Sequence, residues 1–425
     1  MKITYILEKF PSPTEYFILN EILQFEKEAV EIILLVLKRQ KQHEKLPELK
    51  NLKATIIYLP WLHFYFPIIP ILRSPFSVFR FPVPINGLLK TLRYYGISQY
   101  FAKKKILYNH IHAHFAFISV EIAYYLSKIS KVNYSLTAHA RDIYTNNNKI
   151  IRHLPYTKFL ITCTEYNKNY LNKLTDNIFK DKILRVYHGI SPEEWNFKGI
   201  CNNSIQELQI LAVARLVEKK GLIFLLKAIE MLINNGTKAH CTIIGQGVLQ
   251  SLLEEYIYTK KLQNFIRIIP FVPQSKLGEY YLQADLFVLP CIISSNGDRD
   301  GLPNVIIEAM LSGLPVISTP VSAIPEVLKH KETGILVKEK DELSIVEGIN
   351  LITNNQNLRQ HIIKRTTLSV GLGRLIPAMH FEISASILFI SSCRFRRFLK
   401  PDICFFSALL IFIRSFSNAS RFSKS

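Results

Sequence analysis

The sequence lacks several features that would place it in a class at once. Its six cysteines form no CxxC pair, so neither a disulfide framework nor a zinc site is indicated, and we expect reduced thiols. No stretch reaches the ~20 consecutive apolar residues that a membrane-spanning helix needs. The first segment, MKITYILEKFPSPTEYF, has a glutamate and a proline where a signal peptide would be apolar. We therefore expect a cytoplasmic protein, either free or peripheral at the inner face of the plasma membrane.

Acidic residues are also scarce, with 33 Asp and Glu against 53 Lys and Arg. The resulting net charge of +20 favours an anionic partner, which could be nucleic acid, an acidic membrane surface or a phosphorylated small molecule. The lysines are scattered over helices and loops and form no stripe with stacking aromatic residues, so we expect no nucleic acid among the partners. The length of 425 residues is too great for one ordinary core and predicts two domains with a cleft.

An α/β pattern is what the sequence does contain. In the first half, short apolar runs such as KITYIL, VEIILLVL and YSLTAHA alternate with helical stretches, as in the βαβ units of a parallel sheet. The polar stretch FKGICNNSIQEL resembles an interdomain linker, and the same alternation restarts at LQILAVARL. The predicted fold class is therefore α/β, with one Rossmann-like domain at 1–200 and a second at 201–365. In such sheets ligands bind beyond the carboxyl ends of the strands.

Two stretches depart from this pattern. Residues 60–89 are dense in aromatic residues and prolines, a composition typical of a surface that touches lipid or of a buried excursion of the first domain. Residues 366–425 have a different composition from the rest, and their apolar runs have neither helix caps nor the length to cross a bilayer. We expect this tail not to belong to the fold; a frameshift and a membrane-surface segment both explain it.

Candidate anion-binding residues follow the strands of the second half. Arg215 leaves the strand in LAVARLVEKKGL and Lys220 follows in the next turn, so both cations can reach one diphosphate, Arg as a planar fork and Lys as a point charge. In CTIIGQGVL, Gly245 and Gly247 allow close approach to the backbone. Each pattern alone is weak. A solvated surface explains the RxxxxK spacing better, and an ordinary strand-to-helix turn explains the GxG.

The stretch GDRDGLPNVIIEAM is the most informative one. Gly301 gives the backbone freedom, Pro303 occupies a first-turn position and NVIIEAM follows as a helix, so free amides and the positive end of the helix dipole would face the cleft. Glu308 lies on this helix and Asp300 comes before it. The helix start suits a phosphate, and the two carboxylates suit a ligand rich in hydroxyl groups.

Together these motifs resemble the donor-binding domain of glycosyltransferase family 4, retaining enzymes of the GT-B fold. The family signature, two glutamates around a GLP-like turn, here reads D-GLPNVII-E with Asp300 in place of the first glutamate. The sequence of this stretch is similar to that of colanic acid and other exopolysaccharide glycosyltransferases. VARLVEKKGL, IIGQG, LPVISTPVSAIPEV and ETGILV extend the resemblance over nearly all of 205–345, and IHAHFA, YSLTAHARDIY and VYHGI extend it to the first half.

The resemblance implies a role for each matching residue. Arg215 and Lys220 match the pair that neutralises the donor diphosphate, and Glu308 matches the carboxylate that binds the ribose hydroxyls. Asp300 matches the residue that holds the transferred sugar, which places both carboxylates among the expected catalytic residues. The expected donor-binding set also includes the turn residues Gly245, Gly247, Gly301 and Leu302.

A histidine in the first half completes the expected site. His139 follows the strand in YSLTAHA and matches a cleft histidine placed near the transferred sugar. It would orient and stabilise the sugar without forming a covalent bond. His112 and His114 in IHAHF are expected to be core histidines, and His188 in YHG is expected to line a turn.

The resemblance implies an enzyme that transfers a hexose from a nucleotide diphosphate sugar to a lipid-linked, exopolysaccharide or lipopolysaccharide acceptor, with retention and without a metal or other cofactor. It implies that 1–200 bind the acceptor and 201–365 the donor, at a peripheral membrane surface. Two alternatives stay open: a GT-B-fold epimerase that acts on the nucleotide sugar, and a catalytically impaired, truncated homologue that only binds nucleotide. The resemblance fades near Arg365, before the closing helices of a GT-B enzyme would be complete.

Overall fold

The computed structural model describes residues 1–371 apart from 13–14, 42–43, 45–46, 61–87, 105, 107, 189–194, 196, 198 and 200–205. Most of the aromatic stretch 60–89, much of the predicted linker and nearly all of the predicted tail 366–425 lie outside the described residues. Among the helices that are described, none combines the length and the apolar character needed to cross a bilayer.

A seven-stranded parallel sheet forms the first half of the described fold. Its strands are β1 (Lys2–Phe10), β2 (Glu31–Arg39), β3 (Thr55–Tyr58), β4 (His110–His114), β5 (Tyr134–Ala138), β6 (Leu160–Thr162) and β7 (Ile183–Arg185). They lie side by side in the order β3-β2-β1-β4-β5-β6-β7, and every neighbouring pair is parallel. The run EIILLVLKR of β2 is buried along its apolar centre, as expected for a strand that is covered on both faces.

Helices connect these strands. They are α1 (Tyr16–Lys27), α2 (Leu88–Ala102), α3 (Ile118–Ser130), α4 (Ala140–Tyr144), α5 (Asn148–His153) and α6 (Glu165–Leu174), with a 3-10 turn at Pro47–Asn51. In α1 the apolar residues recur with helical spacing, so that Ile18, Ile22 and Phe25 lie on one buried face. Thr164 caps α6, since its side chain accepts a hydrogen bond from the backbone N–H of Asn167 at 3.1 Å.

A six-stranded parallel sheet forms the second half. Its strands are β8 (Leu208–Val213), β9 (Ala239–Ile244), β10 (Ile266–Ile269), β11 (Leu286–Leu289), β12 (Val316–Ser318) and β13 (Ile335–Leu336). The order is β10-β9-β8-β11-β12-β13, again with parallel neighbours only. Since parallel neighbours need a crossover connection, helices link these strands as well.

The helices of the second half complete the α/β architecture. They are α7 (Leu222–Asn234), α8 (Gln250–Thr259), α9 (Gln274–Gln283), α10 (Asn304–Leu311), α11 (Ile324–Val327), α12 (Glu342–Asn354) and α13 (Gln356–Gly371), with a 3-10 turn at Glu218–Lys220. Their apolar faces and the strands share one core, to which α7 contributes Leu225, Leu226 and Ile229. The α/β class with parallel sheets is thus as predicted from the alternating pattern.

The last described helix runs past the position where the family resemblance fades. Helix α13 continues to Gly371 and packs against α10 and α12. Thr366, the first residue of the predicted tail, is buried, and its hydroxyl donates a hydrogen bond to the carbonyl oxygen of Thr333 at 3.1 Å. The change of composition near Arg365 therefore falls within a helix of the second half and does not mark its end.

Candidate functional site

The candidate site lies where the strand order of each sheet reverses. In the first sheet β1 lies between β2 and β4, and in the second β8 lies between β9 and β11. Connections that leave the carboxyl ends of such strands run to opposite sides and leave a crevice. The segments that follow β1, β8 and β9 line one cavity of about 490 Å³.

Both halves of the described fold line this cavity. The first half contributes Lys9, Pro11, Ser12, Tyr16, Phe17 and Gln40, and the second half contributes the predicted donor-binding residues Arg215, Lys220, Gly245 and Glu308. Pro303, Asn304 and Val305 also line it, so the first turn of α10 lies at the cavity with its unpaired amides. The predicted residues Gly247, Asp300, Gly301, Leu302 and His139 do not line it and lie in the surrounding structure.

Lys220 and Asp300 form a buried ion pair beside the cavity. Lys220 Nζ lies 2.6 Å from Asp300 Oδ2, and the two side chains are 10% and 13% exposed. Burial alone would raise the pKa of Asp300, but Lys220, Lys219 and Arg215 outweigh burial and lower this pKa to about 2. Asp300 is therefore an anion at neutral pH. Lys220 both pairs with this carboxylate and lines the cavity.

Lys219 is a buried cation that the sequence analysis did not single out. Its Nζ lies 3.0 Å from Asp298 Oδ1 and 3.5 Å from Asp300 Oδ1. The carbonyl oxygen of Lys219 accepts a hydrogen bond from the backbone N–H of Ile292. The 3-10 turn at Glu218–Lys220 is thereby joined to the loop that carries Asp298 and Asp300. The only signal in the sequence is the lysine that precedes Lys220 in VEKKGL.

Glu308 is fixed by a tyrosine from a neighbouring helix. Glu308 lies in α10, and its Oε2 accepts a hydrogen bond from the hydroxyl of Tyr281 in α9 at 3.0 Å. Both side chains are buried. Burial and the neighbouring Glu308 raise the pKa of Tyr281, so this phenol remains a donor. Nothing in EYYLQA distinguishes Tyr281 from the adjacent Tyr280.

Close backbone approach requires both glycines of the predicted turn after β9. Gly245 has a φ of +148°, and a Cβ at this position would lie 1.9 Å from the carbonyl oxygen of Ala214. A Cβ at Gly247 would lie 2.4 Å from the carbonyl oxygen of Leu216. Only glycine fits where the end of β9 passes this close to the segment that carries Arg215.

The loop that carries Asp300 and Gly301 lies against the first half. A Cβ at Gly301 would lie 3.4 Å from Asn167 Nδ2 and 3.8 Å from the Cβ of Ala140. The guanidinium of Arg299 lies over the ring of Tyr144 at 4.3 Å from its centroid. Because Ala140 directly follows His139, these contacts bring the predicted sugar-binding loop next to the predicted cleft histidine.

A second contact between the halves uses a carboxylate at a helix start. Glu326 in α11 accepts hydrogen bonds from the backbone N–H groups of Glu165 at 3.2 Å and Tyr166 at 2.7 Å, in the first turn of α6. It also accepts one from the hydroxyl of Tyr187 at 2.5 Å. A carboxylate at this position interacts favourably with the helix dipole, so Glu326 helps to hold the two halves together.

His139 is enclosed by aromatic rings. It is 7% exposed, and its ring stacks on that of His188 with the ring centroids 5.5 Å apart. The centroid of the His139 ring lies 4.9 Å from that of Phe17 and 4.3 Å from that of Phe115. Phe17 is the link to the cavity, because it both touches His139 and lines the cavity wall. Burial, together with the neighbouring His188 and His114, lowers the pKa of His139 well below its usual value.

The histidines of β4 form a buried polar ladder with β5. His112 Nδ1 lies 2.7 Å from the hydroxyl of Ser135, and its Nε2 lies 2.9 Å from the hydroxyl of Thr137. His110 Nε2 lies 2.7 Å from the same Ser135 hydroxyl. His112 is thus a satisfied core histidine, as the sequence analysis expected. His114 differs, because it contacts Glu21 and His139.

Glu21, His112 and His114 also meet the distance condition for a metal cluster. Within the part of the chain that the structure describes, their ligand atoms lie within 4.8 Å of one another. However, both ring nitrogens of His112 already bond to the hydroxyls of Ser135 and Thr137. We therefore assign no metal to this cluster.

The free energy of unfolding is expected to fall as the pH drops from about 6.5 to 4.5. Burial lowers the pKa of His110 and His188 to about 4 and lowers those of His112 and His139 well below the usual value. In this window the unfolded chain binds protons at these positions that the folded chain does not, so stability rises with pH. Asp142 has the opposite effect on stability, because burial raises its pKa to about 7. In this window the folded chain binds one proton at Asp142 that the unfolded chain does not.

Urea unfolding at several pH values measures this dependence. His110→Gln should reduce the slope of unfolding free energy against pH by up to one proton, about 1.4 kcal/mol per pH unit. A slope of the opposite sign between pH 4.5 and 6.5 would mean that these histidines are charged in the folded protein.

Comparison with known proteins agrees with this geometry. Residues 195–368 match the family model described as glycosyl transferases group 1. The amylovoran biosynthesis glycosyltransferase AmsK of Erwinia amylovora is 39% identical over 161 residues, which are 38% of this chain and 39% of AmsK. WcaL of Escherichia coli K12, named as a glycosyltransferase of colanic acid biosynthesis, is 34% identical over 142 residues, 33% of this chain and 35% of WcaL. The matched regions thus span about two fifths or less of these relatives.

Solved structures extend the likeness to the whole fold. HepE of Anabaena, crystallised in complex with UDP, superposes with a TM-score of 0.68 at 14% identity and covers 92% of this chain and 100% of HepE. The predicted fold class is thereby confirmed as that of the GT-B glycosyltransferases, with two parallel α/β sheets. Residues 195–368 match the model of glycosyl transferases group 1, and the chain is similar to enzymes named for amylovoran and colanic acid biosynthesis.

Proposed function

We propose that this protein is a retaining glycosyltransferase that moves a hexose from a nucleotide diphosphate sugar to a lipid-linked, exopolysaccharide or lipopolysaccharide acceptor. The observation that carries the proposal is the cavity that gathers Arg215, Lys220, Glu308 and the start of α10 at the reversal point of both sheets. HepE, a structural neighbour, was crystallised with UDP, and with UDP-glucose in a second structure. We infer a donor of the same general kind here.

The donor would be bound by charge at one end and by hydroxyl contacts at the other. Arg215 is exposed on the cavity wall, and Lys220 and the free amides of α10 lie close by, which suits a diphosphate. Glu308, held by Tyr281, would accept hydrogen bonds from the ribose hydroxyls. Gly245 and Gly247 keep the backbone close to this region, and Leu302 joins the loop to α10.

The chemical step breaks the bond between the sugar and the diphosphate. Negative charge then grows on the leaving group, and fixed cations and helix amides stabilise it without reorganising. These groups could supply the stabilisation without a metal. Asp300, held beside Lys220, would contact the sugar hydroxyls, and His139 would orient the sugar. Acceptor attack from the face of the departing diphosphate would give retention, with a phosphate oxygen taking the acceptor proton.

The acceptor would enter from the side of the first half. The net charge of +20 favours an acidic membrane surface, where lipid-linked acceptors reside. The names of AmsK and WcaL refer to the biosynthesis of polysaccharides, and we infer an acceptor of this class. On this proposal the protein is cytoplasmic and peripheral at the inner face of the membrane.

Donor binding is expected to raise the melting temperature of the protein. A nucleotide sugar at 100 times its dissociation constant adds about 2.7 kcal/mol to the free energy of unfolding, a shift of several degrees in a chain of this size. A panel of uridine, guanosine and adenosine diphosphate sugars measures the shift and gives the donor class. Release of nucleoside diphosphate in the presence of membrane extracts then measures transfer.

Two variants provide the control for this experiment. Glu308→Gln should lose most of the shift, because an amide replaces the anion that accepts the ribose hydroxyls. Glu347→Gln, an exposed position on α12, should keep it. A folded wild-type protein that responds to no nucleotide sugar would overturn the proposed function. Conversion of the donor to an isomeric sugar without any acceptor would point to an epimerase.

A further inference from the structure

The excess positive charge of the chain is concentrated in its first half. Residues 206–365, which contain the predicted donor-binding residues, have seventeen Lys and Arg against sixteen Asp and Glu. Residues 49–164 have fifteen Lys and Arg against two Asp and Glu. A donor diphosphate does not account for this excess, because the part of the chain that would bind it is almost neutral. Such a difference between two halves indicates that the first half has an anionic partner of its own.

The two acidic residues of this stretch are not at the surface. Glu121 is 2% exposed and Asp142 is fully buried. The Glu121 carboxylate pairs with the guanidinium of Arg152 and lies 3.8 Å from Lys149 Nζ. Asp142 Oδ2 accepts a hydrogen bond from the backbone N–H of Ala116 at 2.8 Å. Residues 49–164 therefore supply lysines and arginines to the surface but no exposed carboxylate.

Helices α2, α3 and α5 form one outer layer that carries several of these cations. Helix α2 packs against α3, with the ring centroids of Tyr95 and Tyr125 6.0 Å apart. Helix α3 meets α5 where the ring centroid of Tyr124 lies 5.5 Å from that of His153. We call the outer surface of this layer the basic face. It consists of Leu89, Lys90, Arg93, Lys128, Lys149, Ile151, Arg152 and Tyr156.

Cations of the basic face lie close to one another. Burial lowers the pKa of Lys149, and the neighbouring Arg152 and Lys90 lower it further. Glu121 and Glu8 act in the opposite direction and do not cancel this shift. Like charges held this close together repel each other, so an anionic surface that covers them lowers their energy.

Exposed apolar side chains lie among these cations. Leu89 is 81% exposed, Tyr156 is 53% exposed and Ile151 is 39% exposed. Lys128 Nζ lies 5.6 Å from the ring centroid of Tyr156, and tyrosine is typical of the interface between a bilayer and water. A soluble polyanion gains nothing from an exposed leucine and isoleucine. The boundary between lipid headgroups and acyl chains, in contrast, takes up such side chains beside cations.

The basic face lies close to the predicted cleft histidine. Lys149 Nζ donates a hydrogen bond to the carbonyl oxygen of Phe117 at 2.9 Å, and the guanidinium of the exposed Arg141 lies 5.3 Å from the Phe117 ring centroid. The ring of Phe117 stacks on that of Phe115, whose centroid lies 4.3 Å from that of His139. Two aromatic rings thus connect the basic face with His139.

We propose that the basic face binds an acidic phospholipid bilayer, with Leu89, Ile151 and Tyr156 entering the headgroup region. A bilayer bound there presents a lipid-linked acceptor next to the cleft. This link to the acceptor rests on the proposed function. The binding of the bilayer does not, because it follows from the charge and the exposed side chains of residues 49–164.

Sedimentation of the full chain with lipid vesicles tests the proposal. The protein should sediment with vesicles of phosphatidylcholine and phosphatidylglycerol but not with vesicles of phosphatidylcholine alone, and added salt should weaken this binding. Lys90→Gln combined with Lys128→Gln should weaken it about 10- to 25-fold, since each cation near an acidic surface contributes a factor of about five. Leu89→Ser should weaken it about three- to tenfold, because a partly buried leucine is lost.

Two variants of the second half are the matched controls. Lys238→Gln combined with Lys338→Gln removes the same charge from two exposed positions. Leu343→Ser removes a leucine that is 57% exposed. Both should leave vesicle binding within about twofold of the wild type, because the attraction to an acidic surface falls off within a Debye length.

Three results would overturn the proposal. One is equal sedimentation with both kinds of vesicle, and another is an equal loss of binding in the lysine variant and its control. The third is that the wild-type protein binds a soluble polyanion, alginate or duplex DNA, through Lys90 and Lys128 but does not bind the vesicles. A wild-type protein that binds the acidic vesicles as expected but responds to no nucleotide sugar would support the basic face and contradict only the proposed function.

Discussion

Lys220→Met is expected to lower the free energy of unfolding by about 3–5 kcal/mol, because it leaves the buried carboxylate of Asp300 without its closest cation. Lys219 compensates in part from 3.5 Å. The same change should lower kcat/KM for the donor at least about 10²-fold, since it removes a charge placed where the leaving diphosphate develops. Urea unfolding and nucleoside diphosphate release measure the two effects.

A second substitution separates these two effects. Lys220→Met combined with Asp300→Asn removes the unpaired anion and should recover most of the stability, but it should recover none of the activity. Lys227→Met removes a partly exposed lysine of the neighbouring helix α7, which pairs with Glu342 at 3.6 Å, and should change stability by less than about 1 kcal/mol. If the double variant is as unstable as the single one, the Lys220 side chain stabilises the fold by packing and the ion pair contributes little.

Much of the fold could be predicted because its signals are local. The runs KITYIL, VEIILLVL and LQILAVARL are strands of parallel sheets in the structure, and NVIIEAM begins helix α10. Apolar runs between helical stretches have few other solutions than a covered parallel sheet. The change of composition near Arg365 was less informative, because burial of Thr366 depends on contacts with Thr333 in a distant turn.

The candidate site could be predicted only where its residues share a short motif. Arg215, Lys220 and Glu308 follow strands and helix starts that the sequence marks, and the structure places them at one cavity. Tyr281 could not be chosen over Tyr280, because the two differ only in burial. Lys219 could not be chosen, because its ion pairs are with Asp298 and Asp300, which are distant in sequence. His114 was expected to be a core histidine like His112, and it is buried, but it also contacts Glu21 and His139. Its contact with His139 depends on the register of β4 against β5.

Gly245→Ala is expected to destabilise the protein by about 3–5 kcal/mol, the sum of backbone strain and overpacking. A Cβ at this position would lie 1.9 Å from the carbonyl oxygen of Ala214 and 3.7 Å from the backbone nitrogen of Arg215, and the φ of +148° disfavours any side chain. Relief of the clash would move the end of β9 away from β8 and weaken the hydrogen bond from the N–H of Ala214 to the carbonyl oxygen of Ile244. Because Arg215 moves with this segment, donor binding should weaken as well.

Two other glycines separate strain from the clash. Gly236 has a φ of +82° with no atom within 4 Å of the added Cβ, so Gly236→Ala should cost only the strain of a left-handed alanine, about 1–2 kcal/mol. Gly278 lies in helix α9 with open space around its Cβ position, so Gly278→Ala should stabilise the protein by up to about 1 kcal/mol. Thermal and urea unfolding should therefore rank Gly278→Ala above the wild type, followed by Gly236→Ala and then Gly245→Ala. Equal loss in the last two would show that conformational strain alone requires glycine at the end of β9, and that its close approach to Ala214 adds no cost.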